Sequence, residues 1–595
     1  MTRLARYVRP YLPLLAVAIV LLFIQAYSNL ALPDYMSRIV DVGIQRGGVA
    51  AARPAATLGA STPTSLQIHY MVQTGGSMLL LTLVAAGSAI LTGLISARIA
   101  SGLARDLRAA VFGRVVSFGS AEFDKFSSAS LITRTTNDIM QIQMVAVSLL
   151  TMVFYAPIIG VGGIIRAVGK SSSMWWIIGL AVSVLMVVVL TVFRIAVPKF
   201  RIMQRLIDRL NLVSRESLSG MMVIRAFNMQ RHEEKRFDSA NRDLADTMLF
   251  VNRVMVVMMP FMMLIMNGLT LLIIWVGAKE VAAARMQVGD MMAFMQYAIQ
   301  IVFAFLMLSM MFIMLPRAAV SAARVADVLE TEPAISDPPA PENFDSASDG
   351  TVEFQNVSFR YPGAEEDVLH DISFTALPGR TTAIIGATGS GKSTIVNLIP
   401  RFYDVTAGSI VVGGRDTRNV TQEELRSRIG FVPQKAVLFS GTIGSNLRYG
   451  DEATDAEAVD QAARISQASE FISASPEGMD APISQGGVNV SGGQKQRLAI
   501  ARALAKRAPI YIFDDSFSAL DFKTDANLRR ALKQHTGSST VLIVTQRVST
   551  IRNAEQIVVL DEGTIVGSGT HAELMEKCET YREIATSQLS KEELS

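Results

Sequence analysis

The first half of the chain alternates long apolar segments with charged ones. Six apolar segments approach or reach the length that crosses a bilayer, at residues 11–32, 76–95, 144–168, 175–197, 254–276 and 291–315. Because a segment in lipid must satisfy its own backbone hydrogen bonds, each is predicted to be a helix. Six such segments argue against a soluble protein with buried helices. The pattern predicts an all-α membrane domain over residues 1–330.

The connections between these segments indicate the side of the membrane on which each lies. Residues 98–143 and 198–253 are long, charged and patterned as helices, and both follow even-numbered spans. The positive-inside tendency puts them in the cytoplasm with the N-terminus, since they carry many arginines, including Arg105, Arg108, Arg114, Arg134, Arg201, Arg205 and Arg209. Arginines before the first span also suit a cleaved signal peptide, but the length of segment 11–32 favours a retained helix. The loop at 41–70 would face outward.

A break in the hydrophobic pattern separates this domain from the rest of the chain. Residues 331–349 hold four prolines and show no hydrophobic period, which predicts a linker. Beyond it, short apolar strands at 381–385, 510–513, 541–544 and 557–560 alternate with helical segments. Strands separated by helices predict a mainly parallel sheet, and so an α/β domain over residues 350–595.

Composition narrows the class further. Of 595 residues, 50% are hydrophobic and 18% are charged, and the apolar excess lies in the first half. The formal net charge of +3 gives no sign of a tail that binds nucleic acid, so no nucleic-acid partner is expected. The single cysteine, Cys578, excludes an intrachain disulfide.

A glycine-rich loop at residues 386–393 follows one predicted strand and precedes an apolar helix, the context of a phosphate-binding P-loop. Its glycines let backbone N–H groups curl around phosphate oxygens, and the helix N-terminus adds a favourable dipole. The lysine is expected to reach the β- and γ-phosphates and the following serine to ligate Mg²⁺. ATP and Mg²⁺ are therefore the predicted ligands, with the candidate residues Gly386, Thr388, Gly389, Ser390, Gly391, Lys392, Ser393 and Thr394.

A second carboxylate motif supports this prediction. Residues 510–514 form an apolar segment that ends in Asp514, about 120 residues after the loop. Many buried strands end in Asp, so the segment alone is a weak signal. Together with the loop it fits a Walker B strand, in which Asp514 would hold Mg²⁺.

The segment VSGGQKQR at residues 490–497 resembles the signature motif of ABC ATPases. With the other motifs in the same order, essentially the whole chain resembles an ABC exporter half-transporter of the type IV exporter fold. The resemblance implies that Tyr361 stacks on adenine and that Gln434 senses Mg²⁺ and contacts the membrane domain. It also assigns residues 518–521 to the D-loop, 216–227 to the second cytoplasmic loop, and 117–126 to the neighbourhood of the first coupling helix.

The mechanism that this resemblance implies requires two chains. Each ATP would lie between the P-loop of one chain and the signature motif of the other, so a lone chain could not complete a site. The signature residues that would bind the γ-phosphate of the partner's ATP are Ser491, Gly492, Gly493 and Gln494. The helix that follows them supplies a second N-terminal dipole.

Two positions depart from the family pattern. Asp515 stands where active members carry a glutamate that polarises the attacking water, and Gln546 stands where a histidine is expected. The shorter side chain withdraws the carboxylate by roughly 1.5 Å, and a misplacement of about 1 Å can cost about a hundredfold in rate. One interpretation is a tolerated exchange with slowed hydrolysis. The other is the degenerate-site subunit of a heterodimeric multidrug exporter, with Asp515, Gln546 and Gln434 at the weak catalytic centre and a different ABC half-transporter as partner.

The methionines suggest what is carried. The chain has 30, of which fourteen lie between Met255 and Met314, and Met suits surfaces that bind varied apolar shapes, although it also fills packing gaps. With Asn267 and Gln300 in the same spans, we expect an amphipathic organic substrate exported across a bacterial inner (plasma) membrane. A lipid or peptide exporter and an ATP-gated regulatory subunit with little hydrolysis of its own stay open.

Overall fold

The computed structural model of the chain describes residues 2–44, 64–171, 173–345 and 350–589. It divides into two compact units, one made of Met1–Val116 with Ala129–Thr331 and the other of Ser117–Ser128 with Glu332–Ser595. Most of the predicted outward loop at 41–70 lies outside the described residues. The boundaries at 330 and 349 stay a prediction.

The first unit is entirely helical. Among the described residues, six helices are long and apolar enough to cross a bilayer, which confirms the predicted number of spans. We number these spanning helices 1 to 6; their main segments are Leu12–Arg38, Thr64–Val116, Ala156–Lys170, Trp175–Ser219, Gln230–Ala282 and Val288–Glu330. Spanning helix 3 reaches the required length only together with the helical segments before it, as a continuous span over Ser128–Lys170. Shorter elements precede, follow or join them: Thr2–Leu4, Ala5–Val8, Arg9–Tyr11, Ile39–Ile44, Ser128–Thr133, Arg134–Asp138, Ile139–Leu149, Leu150–Tyr155 and Met221–Ala226.

Spanning helices 2, 4 and 5 are longer than a bilayer requires. They contain 53, 45 and 53 residues, whereas about 20 residues cross the hydrocarbon core. The additional turns include much of the charged segments 98–143 and 198–253, so these predicted loops are largely continuations of the helices.

Small residues allow spanning helices 1, 3 and 6 to approach closely. A Cβ added at Gly163 would lie 2.9 Å from the Ile301 side chain, and one at Gly162 would collide with Leu30. Close backbone approach at glycine is typical of helix contacts in lipid, where apolar burial alone drives little association. Large apolar side chains on helix 2, such as Leu79 and Leu83, stay exposed on the outside of the bundle.

The second unit is an α/β fold. Its strands are β1 Val352–Phe359, β2 Leu369–Ala376, β3 Thr381–Gly386, β4 Ala407–Val412, β5 Arg415–Asp416, β6 Ile429–Val432, β7 Gly441–Thr442, β8 Pro482–Ile483, β9 Ile510–Asp514, β10 Thr540–Val544, β11 Gln556–Asp561 and β12 Thr564–Gly569. The main sheet has the order β12-β11-β3-β10-β9-β6, with only β12 antiparallel, so the predicted mainly parallel sheet is confirmed. An antiparallel sheet of order β2-β1-β4-β5 packs beside it, and β7 pairs with β8.

Helices lie between these strands. In chain order they are α1 Lys392–Leu398, α2 Gln422–Ser427, α3 Ile443–Leu447, α4 Ala456–Ile465, α5 Ser469–Ala474, α6 Gly492–Ala505, α7 Phe522–His535, α8 Val548–Ile551, α9 His571–Lys577 and α10 Glu579–Gln588. Short 3₁₀ turns add Arg448–Gly450, Gly478–Asp480 and Gln485–Gly487. The central strands β9 and β10 are buried along their whole length, as expected for a parallel sheet covered on both faces.

The proline-rich segment before β1 has no helix or strand over residues 332–345. It is nevertheless fixed on the α/β unit. The Glu342 amide donates to the Asn419 carbonyl at 2.8 Å, and the Glu342 carboxylate accepts from Arg415 at 2.9 Å. The amide of Phe344 donates to the Glu424 carboxylate at 2.9 Å.

Candidate nucleotide-binding site

The glycine-rich loop connects the buried strand β3 to helix α1. Gly389 and Gly391 have φ angles of +87° and +98°, a region that glycine adopts without steric cost. A Cβ at Gly391 would lie 2.6 Å from Leu369 Cδ2, so this position has no room for a side chain. The loop therefore brings backbone N–H groups to the start of α1, where an anion is favoured.

Lys392 opens α1 and turns its ammonium group back over the loop. Its Nζ donates to the carbonyls of Gly386 at 3.0 Å and Ala387 at 2.6 Å. Burial lowers the pKa of Lys392, while the nearby carboxylates of Asp515 and Asp514 favour its charged form. A cation held in this position is available to phosphate oxygens above the loop.

Ser393 and Asp514 come together from different motifs. The Ser393 hydroxyl donates to Asp514 Oδ1 at 2.9 Å, across 121 residues of sequence. Burial raises the pKa of Asp514 above its ordinary value. A hydroxyl and a carboxylate beside a phosphate site are the oxygen ligands that Mg²⁺ prefers, so these two residues fit the ion and would hold it.

A cavity of about 380 Å³ joins most of the predicted site residues. It is lined by Tyr361, Thr388, Gly389, Gly391, Lys392, Ser393, Thr394, Gln434, Asp514, Asp515 and Gln546. Gly386 and Ser390 lie in the loop but not on the cavity wall. Three further residues that the motifs did not predict line the cavity: Val368, Val544 and Thr545. Of these, only Thr545 could have been expected from the sequence, because it precedes Gln546.

The two departures from the family pattern face this cavity. Asp515 follows β9 with a φ of +44°, and its amide donates to the Val544 carbonyl at 2.9 Å. This left-handed conformation is uncommon outside glycine, although Asp tolerates it better than most residues. Gln546, just after β10, is exposed, and its side chain forms no hydrogen bond within the described part of the chain. Gln434, after β6, is likewise exposed.

An aromatic cluster supports Tyr361 at the edge of the cavity. Its ring meets Phe359 and Tyr403 edge-on, with centroid distances of 4.8 and 5.2 Å. Its hydroxyl and that of Thr394 are 2.9 Å apart and share a hydrogen bond. Tyr403 in turn donates to Asp124 at 3.2 Å, in the short helix Ser120–Lys125, and burial raises the pKa of Tyr403 to about 12. A ring held this way suits stacking against a flat heterocycle.

The signature residues do not line this cavity. Ser491 caps α6: its hydroxyl accepts from the Gln494 amide at 3.3 Å, and the Gln494 side chain accepts from the Ser491 amide at 2.9 Å. Ser491 and Gly492 are exposed. The motif therefore presents the free N-terminus of a 14-residue helix at the surface, away from the chain's own P-loop.

A second cavity, of about 400 Å³, lies inside the membrane unit. Its lining is apolar with four neutral polar side chains and, among the described residues, no charged one: Asn29, Leu32, Pro33, Met36, Met78, Tyr155, Ala156, Ile159, Gln296, Gln300, Phe303, Ala304 and Met307. Asn29 donates to the Tyr155 hydroxyl at 2.7 Å, and Gln300 donates to the Asn29 carbonyl at 3.4 Å. The buried Oε1 atom of Gln300 has no partner within the described part of the chain.

Charged residues near this cavity neutralise one another. Arg166 binds Asp34 at 2.7 Å, and Lys170 binds Asp290 at 2.8 Å and Asp34 at 3.3 Å. None of these four charged residues lines the cavity.

The methionines of spans 5 and 6 lie in several environments. Among those whose side chains the structure describes, Met307 lines the cavity, Met262 is buried in the helix packing and Met263 is exposed. Asn267 is also exposed and away from the cavity. Helical geometry divides a methionine-rich helix among several faces, so its composition does not tell which residues meet a ligand.

The fold and the two cavities define a multi-pass membrane protein that carries its own nucleotide-binding domain. Residues 15–315 match the ABC transporter transmembrane region family, and residues 369–518 match the ABC transporter family of ATP-binding domains. The chain belongs to the ABC transporter family, as an exporter half-transporter with a membrane domain fused to an ABC ATPase domain that binds and hydrolyses ATP.

Several known proteins resemble it along their whole length. An uncharacterized ABC transporter ATP-binding protein of Mycobacterium tuberculosis is 40% identical, over 98% of this chain and 97% of that protein. The ATP-dependent lipid A-core flippase of Aromatoleum aromaticum is 33% identical, over 96% of this chain and 93% of that protein. The solved structure of a bacterial Atm1-family ABC exporter with ATP bound covers 98% of this chain and 100% of its own, at 26% identity and a TM-score of 0.74. The type IV exporter fold is thereby confirmed.

Proposed function

We propose that the chain exports uncharged amphipathic compounds of the multidrug type, using ATP, across a bacterial plasma membrane. The observation that carries this proposal is the 400 Å³ cavity inside the bundle, with its apolar walls and neutral polar groups. A drug-sized apolar ligand is bound mainly by burial of its surface and oriented by a few polar contacts. The unpartnered Gln300 oxygen would accept a hydrogen bond from such a ligand.

The neutral lining and the paired charges near the cavity argue against substrates that carry a fixed charge. A ligand with a fixed anionic group would need a free cation in the cavity, but Arg166 and Lys170 are engaged with Asp34 and Asp290. Burying an unpaired charge is expensive, so the neutral lining would discriminate against anions and cations alike.

Lipid export is the second candidate, because a relative 33% identical to this chain is a lipid A-core flippase. The cavity favours a lipid with an uncharged headgroup over an anionic one. Nothing in the lining favours a peptide, whose backbone would need many more polar partners than the four side chains present.

ATP-dependent uptake into inside-out vesicles tests the export proposal. A neutral fluorescent dye should accumulate, and an anionic dye of the same scaffold should accumulate at least tenfold less. Gln300→Leu should raise the apparent KM for the neutral dye several-fold, because one ligand hydrogen bond is lost. Asn267→Leu, which removes an amide from helix 5 outside the cavity, should change nothing. Preferred uptake of the anionic dye, or of none, would contradict the proposal.

The second part of the proposal concerns the ATP site. We infer a heterodimer in which this chain's P-loop, with Asp515 and Gln546, forms a site that binds ATP and hydrolyses it slowly. Its exposed signature helix, beginning at Ser491, would complete the competent site of a different ABC half-transporter. The separation of Ser491 from the chain's own cavity supports a site shared between two chains, and Asp515 with Gln546 in that cavity supports the inequality of the two sites.

Each group in the site has a proposed task. Tyr361 stacks on the adenine ring, the loop amides and Lys392 bind the phosphates, and Gln434 lies where it can report on the ion. When bound, Mg²⁺ would neutralise phosphate charge between Ser393 and Asp514. The carboxylate of Asp515, one methylene shorter than that of glutamate, lies too far from the attacking water to orient it well. Gln546 can donate a hydrogen bond to the γ-phosphate but cannot carry a proton.

Restoring the side chains expected in the family tests this inference. Asp515→Glu with Gln546→His should raise ATP turnover about tenfold or more in the purified transporter, because the carboxylate regains its reach. Asp460→Glu, the same exchange at an exposed position of α4 outside the cavity, is the matched control. Full turnover by a homodimer of the unaltered chain would contradict the unequal-site heterodimer. ATP-independent dye flux in the same vesicles would instead favour a gating subunit.

A further inference from the structure

The C-terminal helix α10 reaches the loop that carries Gln546. Gln588, the last residue of α10, donates from Nε2 to the Gln546 carbonyl at 2.7 Å. Its Oε1 accepts from the Val548 amide at 2.9 Å. One side-chain amide therefore holds the backbone on both sides of Arg547.

The support behind this amide is rigid. Tyr581 and Ala585 of α10 are fully buried in the main core of the α/β unit. The Tyr581 hydroxyl and His571 Nδ1 are 2.7 Å apart and hydrogen-bonded. Gln588 is exposed on the surface, but its helix is anchored in the core. Its side-chain amide can therefore hold the backbone of the Gln546 loop in place.

The same loop is tied to its surroundings at other points. The Thr545 amide donates to the Ile384 carbonyl in β3 at 3.3 Å, and the Arg547 guanidinium donates to the Ser518 carbonyl at 2.9 Å. Only the Gln546 side chain is left without a hydrogen bond among the described residues, and it faces the nucleotide cavity.

A fixed backbone at position 546 matters more for glutamine than for the histidine expected there, because the glutamine side chain is more flexible. A Gln side chain has three rotatable bonds and loses substantial conformational entropy when it is fixed. When the backbone at Gln546 is already fixed, its side-chain amide loses less conformational entropy on binding the γ-phosphate.

We propose that Gln588 is a positioning residue that holds the Gln546 loop against the γ-phosphate and links the C-terminal helix to the nucleotide state. This inference rests on the proposed role of Gln546. Its consequence is that Gln588 favours nucleotides with a γ-phosphate and has no effect on those without one.

Binding to the full-length purified protein tests this. Gln588→Met keeps the length and helical propensity of the side chain but removes both hydrogen bonds. We expect it to weaken binding of a non-hydrolysable ATP analogue about fivefold and to change ADP binding less than twofold. Thr586→Ala is the matched control, since Thr586 bonds only to carbonyls of its own helix, and it should change neither.

A double-mutant cycle separates positioning from general stabilisation. If Gln588 acts through the Gln546 side chain, Gln588→Met should have no further effect on the preference for the analogue in a Gln546→Ala background. Gln588→Glu keeps an acceptor for Val548 but loses the donor to Gln546, so it should behave like Gln588→Met.

The outcomes are distinguishable. A wild-type protein that binds neither nucleotide would contradict the proposed function. A wild type that prefers the analogue, with a Gln588→Met variant that keeps the same preference or loses ADP equally, would overturn this inference alone.

Discussion

Backbone loops build the nucleotide site, whereas helix faces build the membrane cavity. In the first, Gly389, Gly391 and Lys392 are close in sequence, and the chemistry depends on main-chain N–H groups and fixed charges. In the second, residues from spanning helices 1, 2, 3 and 6 meet, and none of the described lining residues is charged. The phosphate-binding part of a nucleotide site can be encoded in one short motif, whereas an apolar cavity depends on how long helices pack.

The largest expected effect separates the two sites. Lys392→Ala removes a charged hydrogen bond to phosphate, about 3 kcal/mol, and should weaken ATP binding about a hundredfold. Binding of the neutral dye should be unchanged, because Lys392 belongs to the nucleotide site only. Lys577→Ala, an exposed lysine of α9, is the control. Equilibrium binding of a fluorescent nucleotide measures both, and ATP binding that survives Lys392→Ala would refute the assignment of the loop.

The next prediction concerns the paired charges of the bundle. Arg166→Leu leaves Asp34 with Lys170 alone and should lower the free energy of unfolding by about 2 kcal/mol, since a partly buried carboxylate loses its main partner. Arg209→Leu breaks a pair that is half exposed on both sides, and should cost less than about 1 kcal/mol. Thermal melts in detergent compare them. Equal stability of the two variants would show that the Asp34 cluster is not structural.

A charge placed in the membrane cavity should change its selectivity. Gln300→Glu puts a carboxylate among neutral groups, so uptake of the neutral dye should fall about tenfold while a cationic dye of the same scaffold gains relative to it. Gln300→Met is the uncharged control and should lower both dyes by the same factor. Vesicle uptake provides the measurement, and unchanged selectivity in the Glu variant would remove Gln300 from the substrate path.

The smallest effect is a pH dependence of the nucleotide site. The raised pKa of Asp514 means that the folded protein binds this proton more tightly than an unfolded chain does, so the carboxylate loses its charge earlier as pH falls. As pH falls, the Mg²⁺-dependent part of ATP binding should therefore begin to weaken at a higher pH than an ordinary aspartate would allow. Asp514→Asn does not titrate and should show only the pH dependence of the nucleotide. Identical profiles for the two proteins would contradict this assignment.

The two regions also differ in how well they could be predicted. The spans, the parallel sheet and the P-loop follow from the sequence, because hydropathy, strand and helix alternation and a contiguous motif are local properties. The methionines of spans 5 and 6 could not be assigned to one surface from the sequence, because packing decides that Met307 lines the cavity while Met262 is buried.

By itself the sequence determined that this protein crosses a membrane six times and carries a phosphate-binding loop, since bilayer thickness and phosphate geometry each impose a short-range pattern. Only the tertiary structure decided that the membrane cavity is neutral and that Gln588 holds the Gln546 backbone. These relations join residues far apart along the chain, and packing rather than local preference brings them into contact.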